Sequence, residues 1–201
     1  MGASSSQLVL DWRSWADAVG HLKHLLPQHD VEFLSDAYRL AATCHGDQRR
    51  PNGDPYVRHL LDVVEILVHA GIRDRSILAA GLLHDVAEDT SCTAAQIREG
   101  FGAPVEAIVS WLTIPTPEGN EGKAGARARY FARLEQAPPE AITVKLADRL
   151  SNVREIGSYS TLPKRQAYYR ETVSKVIPLS QSHPWFAREF ATWRDAFAYL
   201  A

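Results

Sequence analysis

Cysteine is nearly absent: Cys44 and Cys92 are the only two in 201 residues, and they form no C-x-x-C pair. Two cannot build a disulfide framework, so reduced thiols in a cytoplasmic compartment are expected. Long apolar runs are missing as well. None approaches the ~20 residues of a helical membrane span, and the N-terminus lacks the basic-then-apolar layout of a secretory signal. Excess positive charge is also missing. The 22 Lys and Arg stand against 24 Asp and Glu, for a net charge of −2, which excludes a general nucleic-acid coat. A local basic pocket remains open. Of the 22 cations 17 are Arg, which favours planar, bidentate contacts to phosphate. Met1-Gly2-Ala3-Ser4-Ser5-Ser6 satisfies the myristoylation pattern, but no polybasic neighbour accompanies it, and the segment reads as a tail.

Strand alternation is absent too, and nearly every segment carries the 3.6-residue pattern of an amphipathic helix. At this length one domain with a single core is expected. Trp12, Trp15, Val19, Leu22 and Leu26 form a stripe over 11–26 ended by Pro27, and 31–45 carries a second broad apolar face. A loop at 46–53 precedes Asp54-Pro55, read as the cap and first residue of a helix that stops at Gly71. Asp74 caps a helix spanning about 75–90, and Thr93 with Gln96 forms a capping box for the next. Pro115, Pro117, Gly119, Asn120 and Gly122 mark 113–123 as the clearest loop. Helices follow at 127–134, at 140–156 and twice after Pro163. The last carries Phe186, Phe190, Trp193, Phe197 and Leu200 at helical spacing, a stripe that fits a core better than an interface. The fold class is all-α: a helical bundle over 31–201, with 1–30 as an N-terminal tail and extra helix.

The stretch His84-Asp85-Val86-Ala87-Glu88-Asp89 carries the densest chemistry. On one continuous helix His84 would sit above Glu88 and Asp85 above Asp89, giving two polar ridges on an otherwise apolar element. Carboxylates near a helix C-terminus oppose the macrodipole, and Asp85 and Asp89 repel each other. A bound cation removes both penalties. His59 lies in the first turn of its own helix, and Asp148 lies on a polar stripe with Lys145, Arg149 and Asn152. A set of two imidazoles and two carboxylates suits Mn²⁺, Fe²⁺, Zn²⁺ or Mg²⁺ and leaves positions open for water and substrate.

Three segments, HGDQRRPNGDPYVRH (45–59), AAGLLHDVAEDT (79–90) and VKLADRLSNVR (144–154), occur in this order. In them the chain resembles the HD superfamily of metal-dependent phosphohydrolases, and more narrowly the RelA/SpoT-type hydrolase domain in its stand-alone form, the small alarmone hydrolases. The resemblance covers about residues 33–180. It implies an HD-domain helical bundle that removes the 3′-pyrophosphate of guanosine tetra- and pentaphosphate. It implies His59, His84, Asp85 and Asp148 as ligands of Mn²⁺, and Glu88 and Asp89 as the pair that positions and activates the attacking water. Arg50 matches the arginine that packs on the guanine base, and Lys145 and Asn152 match substrate contacts.

Two departures stand out. Pro51 replaces a lysine common in the family, and Ser151 replaces a common histidine; neither is expected to touch a metal ligand. With 201 residues, no synthetase domain is expected beside the hydrolase.

The same site admits other substrates: NADPH, adenosine alarmones, or a pyrophosphorylated RNA 3′-end in an antitoxin role. A non-catalytic nucleotide-binding protein, possible only if the acidic and histidine positions are idle, is the reading from another class. The substrate carries two pyrophosphates while the chain is net negative, so cations must be concentrated locally. Arg49, Arg50, Lys123, Arg127, Lys145, Arg149 and Arg154 are expected to do this, with loop 113–123, loosened by Gly119, Gly122 and Gly125, closing over the ligand. Self-association through the aromatic stripe is the one oligomeric reading the sequence offers.

Overall fold

The computed structural model describes residues 8–158 and 161–201, so the Met1–Ser6 pattern lies outside the described residues. The helices are α1 (Trp15–Leu22), α2 (Gln28–His45), α3 (Val57–His69), α4 (Arg75–Leu83), the single turn α5 (Val86–Asp89), α6 (Ala94–Leu112), α7 (Gly122–Leu134), α8 (Pro139–Arg154), α9 (Leu162–Glu171) and α10 (Pro184–Ala196). Among the described residues there is no strand, only an isolated bridge between Arg49 and Pro55. No helix is long and apolar enough to cross a membrane.

Side-chain caps set several of the starts. Asp74 accepts from the amides of Ser76 and Ile77 to open α4, and Thr93 and Gln96 exchange hydrogen bonds at the start of α6. Ser14 and Asp17 do the same for α1, a box not anticipated from the sequence. Asp54, by contrast, does not cap α3. Its amide and carboxylate are both taken by Asn52 within the loop, and the helix begins two residues later, after Tyr56.

The core centres on α4, which is apolar on nearly all sides and is surrounded by α2, α3, α6 and α8. Gly81 lets it lie close to α3: a Cβ there would stand 2.8 Å from Leu67 Cδ1. Residues Leu10 and Trp12 also bury against this core, because the Glu65 carboxylate on α3 accepts from the amides of Asp11 (2.7 Å) and Trp12 (3.0 Å). Phe186, Phe190, Trp193 and Leu200 are buried, so the aromatic stripe serves the core.

Three expectations change. The helix expected over 75–90 breaks at His84-Asp85, where Asp85 departs to φ −98°, ψ −7°. The two-ridge arrangement is therefore replaced by a turn that sends His84 inward and leaves Glu88 and Asp89 exposed at the rim. The loop expected over 113–123 ends one or two residues early, since α7 begins at Gly122; Gly125 lies inside that helix rather than in a hinge. Finally, Cys44 and Cys92 are joined by a disulfide (Cα–Cα 6.3 Å), not held as separate thiols. A separation of 48 residues hid the pairing. It forms because the end of α2 packs beside α5.

Candidate active site

Helices α3, α4 and α8 each bring part of one cluster to the same depth. His59 sits in the first turn of α3, His84 follows the last residue of α4, and Asp148 lies mid-way along α8; all three are buried. His59 Nε2 lies 3.3 Å from His84 Nε2 and 3.3 Å from Asp148 Oδ1, and His84 Nε2 lies 3.6 Å from the same oxygen. Asp85 Oδ2 completes the set at 2.9 Å from His84 Nε2 and 3.7 Å from His59 Nε2. These separations match those between donor atoms sharing one ion at ~2.0–2.2 Å.

The outer nitrogens show why the inner ones face the centre. His84 Nδ1 donates to the Gly81 carbonyl at 2.9 Å, which turns Nε2 toward Asp85 and Asp148, where it would offer a lone pair once its proton is displaced. His59 Nδ1 meets Ser151 Oγ at 2.9 Å. Ser151 therefore does touch a ligand-type residue, contrary to the expectation from the sequence. The reason is that α8 presents positions 148 and 151 on one face, both toward α3.

The charges at this centre are closely paired, with His84 against Asp85 and Lys145 against Asp148. Burial alone would raise the carboxyls of Asp85 and Asp148, but His84 beside the first and Lys145 beside the second outweigh it and hold both below the usual carboxylate range. Burial would also discharge His84, yet Asp85 and Asp148 raise its pKa well above that of a free imidazole. His59 goes the other way, lowered by burial despite its contact with Asp148. Two converging carboxylates, one buried and one half-buried, meet two imidazoles here, and a divalent cation could take the place of the His84 proton. The donor set fits one.

Above this floor opens a cleft lined by Tyr56, Glu88, Asp89, Arg127, Lys145 and Asn152, with Arg149, Tyr168, Leu112 and Ile114. Glu88 Oε2 accepts from the Ile114 amide at 2.9 Å, so the 113–121 loop is anchored to the acidic rim. Burial raises the Glu88 carboxyl, and that hydrogen bond lowers it only in part. Lys145 Nζ donates to Asp148 Oδ2 at 2.9 Å, and Asn152 Nδ2 to Asp148 Oδ1 at 2.5 Å.

Opposite, Arg127 forms a bidentate pair with Glu171 (2.5 and 2.7 Å), and Arg149 shares that carboxylate at 2.8 Å while its guanidinium lies 4.3 Å from the Tyr168 ring. Burial would raise Glu171, but the two arginines hold it down at about 2.

The expected substrate residues are divided by the fold. Arg127, Lys145 and Asn152 reach the cleft. Arg50 stands behind it, its side chain 5% exposed, donating to Glu155 at 2.9 Å and to Asn152 at 3.2 Å. Arg49 is turned back onto the Gly53 carbonyl, and Lys123 is exposed at the start of α7; neither lines the cleft. Tyr168 and Glu171 were not singled out from the sequence, because α9 carries no motif. Tyr56 lay inside a recognised segment. Its hydroxyl nevertheless gave no sign in sequence of reaching Asp85.

Comparison with known proteins agrees with this geometry. Residues 37–176 match the HD domain family. The chain is 34% identical over 176 residues to the guanosine-3′,5′-bis(diphosphate) 3′-pyrophosphohydrolase of Aquifex aeolicus, covering 87% of this chain and 25% of that protein. It is 34% identical over 158 residues to the bifunctional (p)ppGpp synthase/hydrolase SpoT of Escherichia coli, covering 77% and 22%. It thus spans about a quarter of the length of these curated relatives. A solved metazoan SpoT ortholog, described as hydrolysing ppGpp, superposes with a TM-score of 0.74 at 28% identity, covering 82% of this chain and 94% of that one. With the matched residues running from α2 past α9 and enclosing every member of the buried cluster, the chain belongs to the HD domain family.

Proposed function

We propose that the chain hydrolyses the 3′-pyrophosphate of guanosine tetra- and pentaphosphate, releasing pyrophosphate and GDP or GTP. The observation that carries this reading is the cleft itself. Its floor gathers two imidazoles and two carboxylates, its near rim holds Glu88 and Asp89, and its far wall holds Lys145, Arg127 and Arg149. The relatives named for this reaction support it.

His59, His84, Asp85 and Asp148 would hold a divalent metal, with Mn²⁺ our choice. When bound, the metal polarises a phosphate oxygen and lowers the pKa of a water. The protein's own groups do the rest. Glu88, whose carboxyl is raised by partial desolvation at the rim, accepts the proton of the attacking water. Asp89 orients that water from the adjacent position. Water oxygen bonds to the phosphorus next to ribose O3′, the P–O3′ bond breaks, and O3′ leaves to be protonated.

Lys145 and Arg127 face the pyrophosphate. Arg127 arrives pre-oriented because Glu171 fixes two of its three guanidinium nitrogens, Nε and Nη2. Asn152 contacts the nucleoside side, and Arg50 acts through it, since the chain Glu155–Arg50–Asn152–Asp148 is continuous.

The test is a panel with Mn²⁺: guanosine tetraphosphate, its adenosine counterpart and NADPH. Pyrophosphate release from the guanosine compound, abolished by chelator and restored by Mn²⁺, is expected. Inertness toward it alongside turnover of NADPH refutes the reading.

A further inference from the structure

Tyr56 is the residue next to α3 whose side chain crosses to the opposite element. Its hydroxyl donates to Asp85 Oδ2 at 2.5 Å and lies 3.3 Å from Asp89 Oδ2. One O–H thus stands between two carboxylates that would otherwise repel each other, one on the metal-facing floor and one on the rim. We propose that Tyr56 is a positioning residue, whose phenol hydroxyl fixes Asp89 relative to Asp85 so that the rim carboxylate faces the reacting water.

The placement of the ring is itself over-determined. One face of Tyr56 stacks on His45 (ring centroids 4.2 Å apart, 19° between planes), and its edge meets the His59 ring at 5.8 Å. The Tyr56 amide donates to the Gln48 carbonyl at 2.9 Å. His45, buried at the end of α2, is held by Gln48 Oε1 at 2.8 Å, and Gln48 Nε2 donates to the Asp89 carbonyl at 2.9 Å. Asp89 is therefore held from the 45–56 segment at its backbone by Gln48, while its carboxylate shares with Asp85 the single O–H of Tyr56. The Cys44–Cys92 disulfide joins the same two stretches of chain on the far side.

A tyrosine serving only as core filler needs its ring contacts and one partner for its hydroxyl. Here the hydroxyl is directed at the two carboxylates with the most chemistry to do. Residues that orient metal-site ligands from outside typically change affinity or activity by 10–100-fold when removed.

The experiment uses Tyr56→Phe, which keeps the ring on His45 and beside His59 and removes only the donor. Expected at saturating Mn²⁺ is a kcat on guanosine tetraphosphate lowered roughly 10–100-fold, with KM within about twofold of the parent and an unchanged melting temperature. Mn²⁺ titration of the metal-free protein should show an affinity weaker by roughly tenfold. A parental kcat at saturating Mn²⁺ overturns the proposal. So does a loss of kcat matched by a rise in KM or by a lower melting temperature, since a loosened fold then accounts for it. The proposal rests on the hydrolase reading above, and the two fail separately. Should the parent release no pyrophosphate, the Mn²⁺ titration decides alone, and unchanged affinity in Tyr56→Phe sinks the role of Tyr56.

Discussion

On the floor of the cleft, His59, His84, Asp85 and Asp148 come from stretches that are each readable as a motif. On its far wall, Arg127, Arg149, Tyr168 and Glu171 come from α7, α8 and α9 with no motif in common. The two regions also hold their residues differently. Floor side chains are short and tied by hydrogen bonds to a carbonyl, a serine and a tyrosine within ~3 Å, because coordination tolerates little displacement. The two arginines of the wall are long cations steadied by one shared carboxylate, a looser hold that would suit neutralising a phosphate more than fixing one angle. The floor is thus fixed by several short hydrogen bonds to separate partners, and the wall by ion pairs to one shared carboxylate.

Damage to the floor should have the largest effect. Asp148→Ala or His84→Ala should abolish stoichiometric Mn²⁺ binding by the metal-free protein and lower turnover by at least ~10³-fold, of the order expected when metal activation is removed. Residual metal binding at parental affinity in either variant would break the distinction between floor and wall.

The wall should yield differently. Glu171→Gln leaves Arg127 and Arg149 without their shared partner, so KM should rise about tenfold while kcat and Mn²⁺ affinity stay near parental values. Stability carries a second readout. Glutamate ordinarily titrates at 4.5 and Glu171 at about 2 when folded, so its contribution is fully present above about pH 4.5 and is lost as pH falls toward 2. The variant should thus lose up to about 3 kcal/mol at pH 7 and close on the parent in acid, as denaturant melts at several pH values would show.

Ser151→Ala tests how finely the floor is held. It removes the partner of His59 Nδ1 and should weaken Mn²⁺ roughly tenfold by calorimetric titration, with KM at saturating metal unaltered. The smallest effect belongs to Lys123→Ala. Lys123 is exposed and outside the cleft, so KM should move by less than about twofold, against about tenfold for Arg127→Ala. Equal effects from the two would place the start of α7 in the binding wall after all.

Much of this was legible before any coordinates. The helical period, the caps at Asp74 and Thr93, and the ordered segments around His59, His84-Asp85 and Asp148 are local properties, set by residues within a turn or two of one another. Contacts between segments are not. Ser151 on His59 spans 92 residues, Arg127 on Glu171 spans 44, and Tyr56 on Asp85 spans 29. No periodicity records them, because each depends on the angle at which two helices cross.

The sequence by itself determined that this is an all-α chain with an imidazole-carboxylate chemistry, since helix periodicity and side-chain type are written residue by residue. Only the tertiary structure decided how that chemistry is aimed. It broke the helix at His84-Asp85, sending one pair of groups to the floor and leaving Glu88-Asp89 at the rim. It took Arg50 out of the cleft, brought Tyr168 to it, and set Glu171 behind Arg127 and Arg149. It also joined Cys44 to Cys92. The physical reason is the same in each case: a side chain's partner is chosen by the packing of the core beneath it, and that packing is a property of all the helices together.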